Sequence, residues 1–162
     1  MTNITRLFDF PQFQLEQHNL DAALVSKKNG VWIKTSTQEY IDKSNALSRA
    51  LLKLGVKKDD KIAVISTTNR TEWCIVDIGV LQVGAQNIPI YPTISSDDYE
   101  YVLNHSEAIY CFVSDQEVLD KVLKVKDNTK LKEVYSFDEL NDCKNYTELF
   151  ELGKDPSTQN DV

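Results

Sequence analysis

Two histidines, three cysteines and a few short carboxylate runs are the residues of this 162-residue sequence whose types and spacing bear on chemistry. His18 and His105 each lack a second His, Cys or carboxylate at metal-ligand spacing. His105 sits beside Asn104 and Ser106 near an expected helix end, an ordinary place for an exposed histidine. The order of Ser, His and Asp along the chain does not decide for or against a triad, but no G-x-S-x-G elbow marks a nucleophile. The paired acids Asp59-Asp60 and Asp97-Asp98, with Glu100, fall in a lysine-rich turn and at a helix start. Turn and dipole chemistry account for both groups.

Phosphate chemistry is equally unmarked. The one G-x-x-x-x-G, Gly79 to Gly84, runs into Ala85-Gln86 where a phosphate loop needs Lys-Ser/Thr. It lies in an expected buried helix, so Gly79 is read as close helix packing and Gly84 as a C-cap. The strand ending near Ser66 is followed by Thr67-Thr68-Asn69 and not by the glycine-rich turn of a dinucleotide site. The best remaining candidate is the turn Tyr91-Pro92-Thr93-Ile94-Ser95, after a strand and before a helix. Carboxyl ends of parallel strands commonly hold ligands, and a helix start offers free N–H groups. Tyr91, Pro92 and Thr93 are therefore the candidate binding residues. The competing reading is a proline-defined turn with an N-cap at Ser95. Trp73 is read as a core anchor, and no catalytic residue or metal ligand is assigned.

These residues need elements to position them, and the pattern supplies an alternating series. Residues 1–21 read as an aromatic-rich arm or short helix, Leu7–Leu15, that packs on the body. Residues 22–35 read as a β-hairpin turning at Asn29-Gly30, both of which tolerate the positive φ of a type I′ turn. Ser36-Thr37-Gln38-Glu39 fits a capping box, and Tyr40, Leu47, Leu51 and Leu54 continue at helical spacing to Gly55. Strands are expected at 61–66, 87–91, 110–113 and 134–137. Helices are expected from an Asn69 cap, from Ser95, over 115–126, and once more between Leu140 and Leu152. Strand starts some 25–30 residues apart are βα repeats, which build a parallel sheet with helices on both faces. The α/β unit spans 22–152, and 153–162 reads as a polar tail without a closing element.

Composition bounds the partners. Basic side chains number 18 and acidic ones 25, a net charge of −7 that argues against nucleic-acid binding. The acidity is uneven: residues 1–93 carry 11 basic and 9 acidic groups, residues 94–162 carry 7 and 16. The second half reads as a solvated acidic surface. Cys74, Cys111 and Cys143 form no CxxC pair, and two lie in apolar runs, so a reduced, cytoplasmic setting is expected. The first twenty residues lack an apolar export segment, and no stretch approaches the roughly 20 apolar residues of a membrane-spanning helix. The sequons at Asn3, Asn69, Asn104 and Asn145 are then chance matches.

Taken in order, several stretches resemble the N-terminal part of the AMP-forming acyl-CoA synthetases of the long-chain fatty acid–CoA ligase type. They are Tyr40 through Gly55-Val56-Lys57-Lys58-Asp59-Asp60-Lys61-Ile62-Ala63-Val64, Asn69-Arg70-Thr71-Glu72-Trp73, Asp77-Ile78-Gly79, Gly84-Ala85-Gln86-Asn87-Ile88-Pro89-Ile90-Tyr91-Pro92-Thr93, and Ser106-Glu107-Ala108 through Phe112-Val113. The resemblance implies a flavodoxin-like N-terminal subdomain of an adenylate-forming enzyme. It also implies a parent activity: ATP and Mg²⁺ activate a fatty acid to an acyl-adenylate, and coenzyme A accepts the acyl group. By the same resemblance, the Tyr91–Thr93 turn would lie toward the coenzyme A side, and the parent could touch membranes peripherally. The family's glycine- and hydroxyl-rich phosphate loop is absent from these residues and is expected soon after Val162, so this chain alone should be inactive. An uncovered strand edge or apolar flank is expected to favour self-association or burial under the arm. Two alternatives stand beside this reading: a non-enzymatic flavodoxin-like binding module, and an adenylate-forming enzyme acting on a different carboxylate.

Overall fold

The computed structural model describes residues 3–161. A 3-10 turn, Leu7–Asp9, leads into helix α1 (Phe10–Gln17), which has Pro11 in its first turn and packs on the next helix. The hairpin follows as β1 (Leu24–Lys28) and β2 (Val31–Thr35), with Lys28 paired to Val31 across a two-residue turn. Asn29 (φ 50°) and Gly30 (φ 81°) both occupy the left-handed region, as a type I′ turn requires.

Helix α2 (Thr37–Lys53) opens on the expected capping box. The Glu39 N–H donates to Ser36 Oγ at 3.1 Å, and the Ser36 N–H donates to Glu39 Oε2 at 3.0 Å. It ends at Gly55, whose φ of 79° lets the Val56 N–H reach back to the Leu51 carbonyl at 3.0 Å.

The remainder is one βα series: β3 (Lys61–Ile65), α3 (Thr71–Gln82), β4 (Gln86–Ile90), α4 (Ser96–Ser106), β5 (Tyr110–Val113), α5 (Gln116–Leu123), β6 (Glu133–Ser136), β7 (Lys144–Asn145) and α6 (Glu148–Leu152). The five strands form one sheet in the order β4-β3-β5-β6-β7, every pair parallel. The α/β architecture with helices on both faces and a separate hairpin is as the sequence indicates.

Strand period divides the core into two layers. Ile62 and Val64 of β3 face α2, α3 and α6 together with Phe112, Tyr135, Leu47 and Ile75. Ala63 and Ile65 face α4 and α5 together with Cys111, Val113, Tyr99 and Leu119. A strand buried on both faces reads as an unbroken apolar run, which is why Ile62–Ile65 does not alternate. On the first face α2 and α3 approach closely at Gly79. A Cβ built there would stand 2.9 Å from Leu47 Cδ2, so the sequence's glycine spacing serves packing.

Three expectations need correction. The cap of α3 is Arg70, whose side chain makes no capping bond, and Asn69 is exposed. The region after Leu140 supplies the two-residue strand β7 before its short helix. The polar stretch from 153 does carry an element, a 3-10 helix at Pro156–Asp161. Arg49 of α2 holds it by donating from Nε to the Gly153 carbonyl at 2.7 Å and from Nη1 to Gln159 Oε1. The arm packs on α2 and α3 and does not cover a strand edge; Pro89, which has no N–H, breaks the donor row of the edge strand β4.

Candidate functional site

Strand order fixes where a ligand crevice would form. From β3 the chain crosses to β4 on one side, then returns past β3 to place β5 on the other. The loops after β3 and β5 therefore diverge at a topological switch point, the usual ligand position in open α/β sheets. Those loops are Ser66-Thr67-Thr68-Asn69-Arg70 and Ser114-Asp115.

Their hydroxyls and carboxylate bond to one another across the crevice. The Thr67 N–H donates to Ser114 Oγ at 3.1 Å, and the Thr67 and Ser114 hydroxyls donate to Asp115 Oδ2 at 2.6 and 2.7 Å. Asp115 Oδ1 accepts the Val118 N–H at 3.2 Å and so caps α5. Burial alone would raise the Asp115 pKa. The bonds from Thr67, Ser114 and the first-turn N–H groups outweigh it and hold the carboxylate below its ordinary value.

Arg70 completes the arrangement from the start of α3. Its Nη1 donates to the Ser114 carbonyl at 3.1 Å, and its Nη2 donates to Glu72 Oε1 at 2.8 Å and Asp138 Oδ1 at 2.9 Å. The guanidinium also lies 5.6 Å from the Phe137 ring centroid. Burial disfavours the charge, but the two carboxylates overcompensate and shift the pKa upward. One planar donor fork thus ties together the carboxyl ends of β3, β5 and β6. With two carboxylates on one cation, the guanidinium has little charge left for an anionic substrate. Sequence reading misses this hub, because Ser114 and Asp138 lie 44 and 68 residues from Arg70 along the chain.

Beside the hub runs an open groove of about 740 Å³ between the hairpin and the loop Thr68–Thr71, with Lys27, Lys28 and Lys43 in its lining. A smaller cleft of about 260 Å³ joins Ser66, Asn69, Arg70, Trp73 and Cys74. Trp73 is half-buried and packs against the first core layer, in keeping with an anchor that also lines this cleft.

The sequence candidates Tyr91, Pro92 and Thr93 stand elsewhere, at the carboxyl end of edge strand β4, and line neither hollow. Tyr91 is 80% exposed, and Thr93 is also exposed. The Pro92 carbonyl accepts from Tyr99 Oη at 2.9 Å and Lys121 Nζ at 3.3 Å, which locks the turn from below. Ser95 caps α4, accepting the Asp98 N–H at 3.1 Å, so the turn reading holds for the backbone while two side chains face solvent. Asp60 likewise serves its turn, accepting the Lys57 N–H at 2.8 Å.

Neither imidazole joins a cluster. His105 stacks on Tyr101 with ring centroids 5.7 Å apart, and exposed His18 ends α1. The three thiols are unpaired, and burial raises the pKa of each. Among the described residues no three His, Cys, Asp or Glu side chains gather as a metal site, and no helix is long and apolar enough to cross a membrane.

Comparison with known proteins matches residues 12–161 to the family model described as AMP-binding enzyme. Among curated relatives, the long-chain fatty acid–CoA ligase ACSBG2 of Xenopus laevis is 32% identical over 146 residues, 86% of this chain and 20% of the relative. The long-chain fatty acid–CoA ligase FadD15 of Mycobacterium bovis is 35% identical over 104 residues, 64% of this chain and 16% of the relative. The chain thus spans about a fifth or less of the length of these relatives. Among solved structures, a long-chain fatty acid–CoA ligase from Archaeoglobus fulgidus superimposes with a TM-score of 0.78 at 19% identity, covering 94% of this chain and 31% of that one. The anthranilate–CoA ligase AuaEII gives 0.73 at 18%, covering 89% and 26%. At such identities the structural matches speak for the fold.

Proposed function

The chain belongs to the AMP-binding enzyme family, and from that membership we propose that it is the N-terminal portion of a long-chain fatty acid–CoA ligase. The whole enzyme would activate a fatty acid with ATP to an acyl-adenylate and transfer the acyl group to coenzyme A. One observation carries the substrate class: the relatives matched at 32% and 35% identity are both long-chain fatty acid–CoA ligases.

Within that reading these residues form a scaffold. A triphosphate with Mg²⁺ needs backbone N–H groups exposed by glycines, free cations and clustered carboxylates. The loop after β3 has no glycine, Arg70 is committed to Glu72 and Asp138, and among the described residues no three His, Cys, Asp or Glu side chains gather to hold a metal. The residues of this chain do not fit that group, and no step is assigned through it. We assign Tyr91, Pro92 and Thr93 to the coenzyme A side of the parent enzyme, supported by a fixed backbone that presents exposed Tyr91 and Thr93 at a strand's carboxyl end. A flavodoxin-like binding module would share this strand order; against it, the two switch-point loops are tied to each other through Thr67, Ser114 and Asp115.

A chimera tests the proposal: this chain in place of the matching segment of the FadD15 ligase. Long-chain acyl-CoA formation by the chimera, with no pyrophosphate release by the 162-residue chain alone, is the expected pair of results. Turnover by the chain alone, or a stably folded but inactive chimera, would overturn it. Thr93→Val in the chimera should raise the KM for coenzyme A while leaving the fatty acid KM unchanged. An unmoved coenzyme A KM removes the assignment of that turn.

A further inference from the structure

The turn after β4 is fastened from beneath at a single atom. Pro92 has no N–H, so its carbonyl is the only backbone group through which that residue can be hydrogen-bonded. A carbonyl oxygen has two lone pairs, and both are used here: Tyr99 Oη of α4 donates at 2.9 Å and Lys121 Nζ of α5 at 3.3 Å. β4 is an edge strand paired only with β3, so no further strand supports the turn from its open side. Tyr91 and Thr93 are exposed, while Pro92 and Ile94 are half-buried, with Ile94 against the core layer under α4 and α5. Packing alone does not call for a tyrosine at 99. Its ring is fully buried in the layer that holds Leu103, Val113 and Val118, and a phenylalanine would fill the same space. A hydroxyl buried there needs a partner, and the Pro92 carbonyl supplies it. Burial pushes the phenol pKa up to about 12, so the group stays a neutral donor. Lys121 is also no ordinary surface lysine: its side chain is only 26% exposed and is steadied by Glu117 at 3.0 Å, one turn earlier on α5.

We propose that Tyr99 and Lys121 are positioning residues for coenzyme A in the parent enzyme: by pinning the Pro92 carbonyl they fix how Tyr91 and Thr93 are presented. This rests on the assignment of that turn to the coenzyme A side. Neither residue touches the ligand in this scheme, since Tyr99 is fully covered and the Lys121 ammonium is engaged by Pro92 and Glu117. A turn held in place before binding spares the ligand the cost of ordering it, so releasing the turn weakens that one substrate. The two donors share one acceptor, so either alone still holds the carbonyl, and only their joint loss frees it.

The test uses the chimera with the FadD15 ligase. Tyr99→Phe removes only the hydroxyl and Lys121→Met keeps the aliphatic stem, so both variants should fold. Each should raise the KM for coenzyme A about threefold, and Y99F/K121M together more than the product of the two, roughly twentyfold. The KM values for fatty acid and ATP should not move. A purely structural role would lower the yield of active enzyme, and kcat with it, without shifting the coenzyme A KM. A coenzyme A KM that rises in Thr93→Val but stays put in Y99F/K121M overturns this inference alone. If it moves in neither, the assignment of the turn falls; if the unsubstituted chimera folds but is inactive, the functional reading falls. Either result takes this inference with it. Equal rises in all three KM values would also overturn it, because the turn would then serve the fold and not one substrate.

Discussion

Gly153 lies flush on the backbone of α2 at Ala46: a Cβ built on it would stand 1.8 Å from the Ala46 carbonyl oxygen and 2.9 Å from the Ala50 nitrogen. The obstacle is backbone, which cannot rotate away as a side-chain tip can. Just beyond it, Arg49 and Lys53 donate to the Gly153 and Leu152 carbonyls at 2.7 and 2.9 Å and satisfy the end of α6. Gly153→Ala should therefore push α6 off α2 and cost about 3 kcal/mol or more in urea unfolding. Gly30→Ala, with nothing within 4 Å of the new Cβ, should cost only about 1 kcal/mol through its positive φ. Equal losses at the two positions would contradict the packing account.

Arg70 offers a second measurement. Its side chain is 14% exposed and its partners Glu72 and Asp138 are 17% and 36% exposed, so solvent screens this cluster only in part. Removing the cation in Arg70→Met leaves two carboxylates facing each other and should cost about 3 kcal/mol. Arg70→Lys should recover less than half, since one ammonium cannot span Glu72, Asp138 and the Ser114 carbonyl as a fork does. Adding Asp138→Asn to Arg70→Met should restore part of the loss by relieving the repulsion, and a strictly additive pair would contradict a coupled cluster.

Helix caps separate what the sequence makes legible from what it does not. Ser36 and Asn69 both precede a glutamate three residues on and read alike as capping boxes. Only Ser36 makes the bonds; at α3 the extended backbone puts Arg70 at the cap position, and its guanidinium reaches across to Ser114 and Asp138. Ser36→Ala should cost about 1 kcal/mol in chemical unfolding, and Asn69→Ala no more than about 0.5 kcal/mol. The same division runs through the fold. The α2 helix, the I′ hairpin and the strands from Lys61 to Ser136 follow from local patterns: caps, positive-φ pairs and apolar runs. By contrast, β7 is two polar residues with no strand pattern of their own, held by contacts made after folding: Asn145 Nδ2 donates to the Phe137 and Asp138 carbonyls at 3.3 and 3.0 Å, and the Tyr146 N–H donates to the Ser136 carbonyl at 2.9 Å. The switch-point contacts need strand order, which no window of sequence contains; local reading could place Tyr91–Thr93 at a strand end but not at the sheet's edge.

The Asp115 carboxylate makes the crevice sensitive to pH in a stated direction. Its folded pKa lies below the ordinary carboxylate value, because Thr67, Ser114 and the Val118 N–H all bond the ionised form. As pH falls the unfolded chain takes up this proton first, so the carboxylate's contribution is whole above about pH 5 and drains away as pH drops through the folded pKa. Asp115→Asn keeps an acceptor for the α5 cap but loses the charge that Thr67 and Ser114 hold. The variant should be less stable than wild type at pH 7 and equally so at pH 5, with the gap narrowing between pH 4 and pH 2. Urea unfolding of both proteins across that range reads the gap directly. If it stays constant to the acid limit, Asp115 is held by hydrogen-bond geometry alone, and the charge has no part in fastening β3's loop to that of β5.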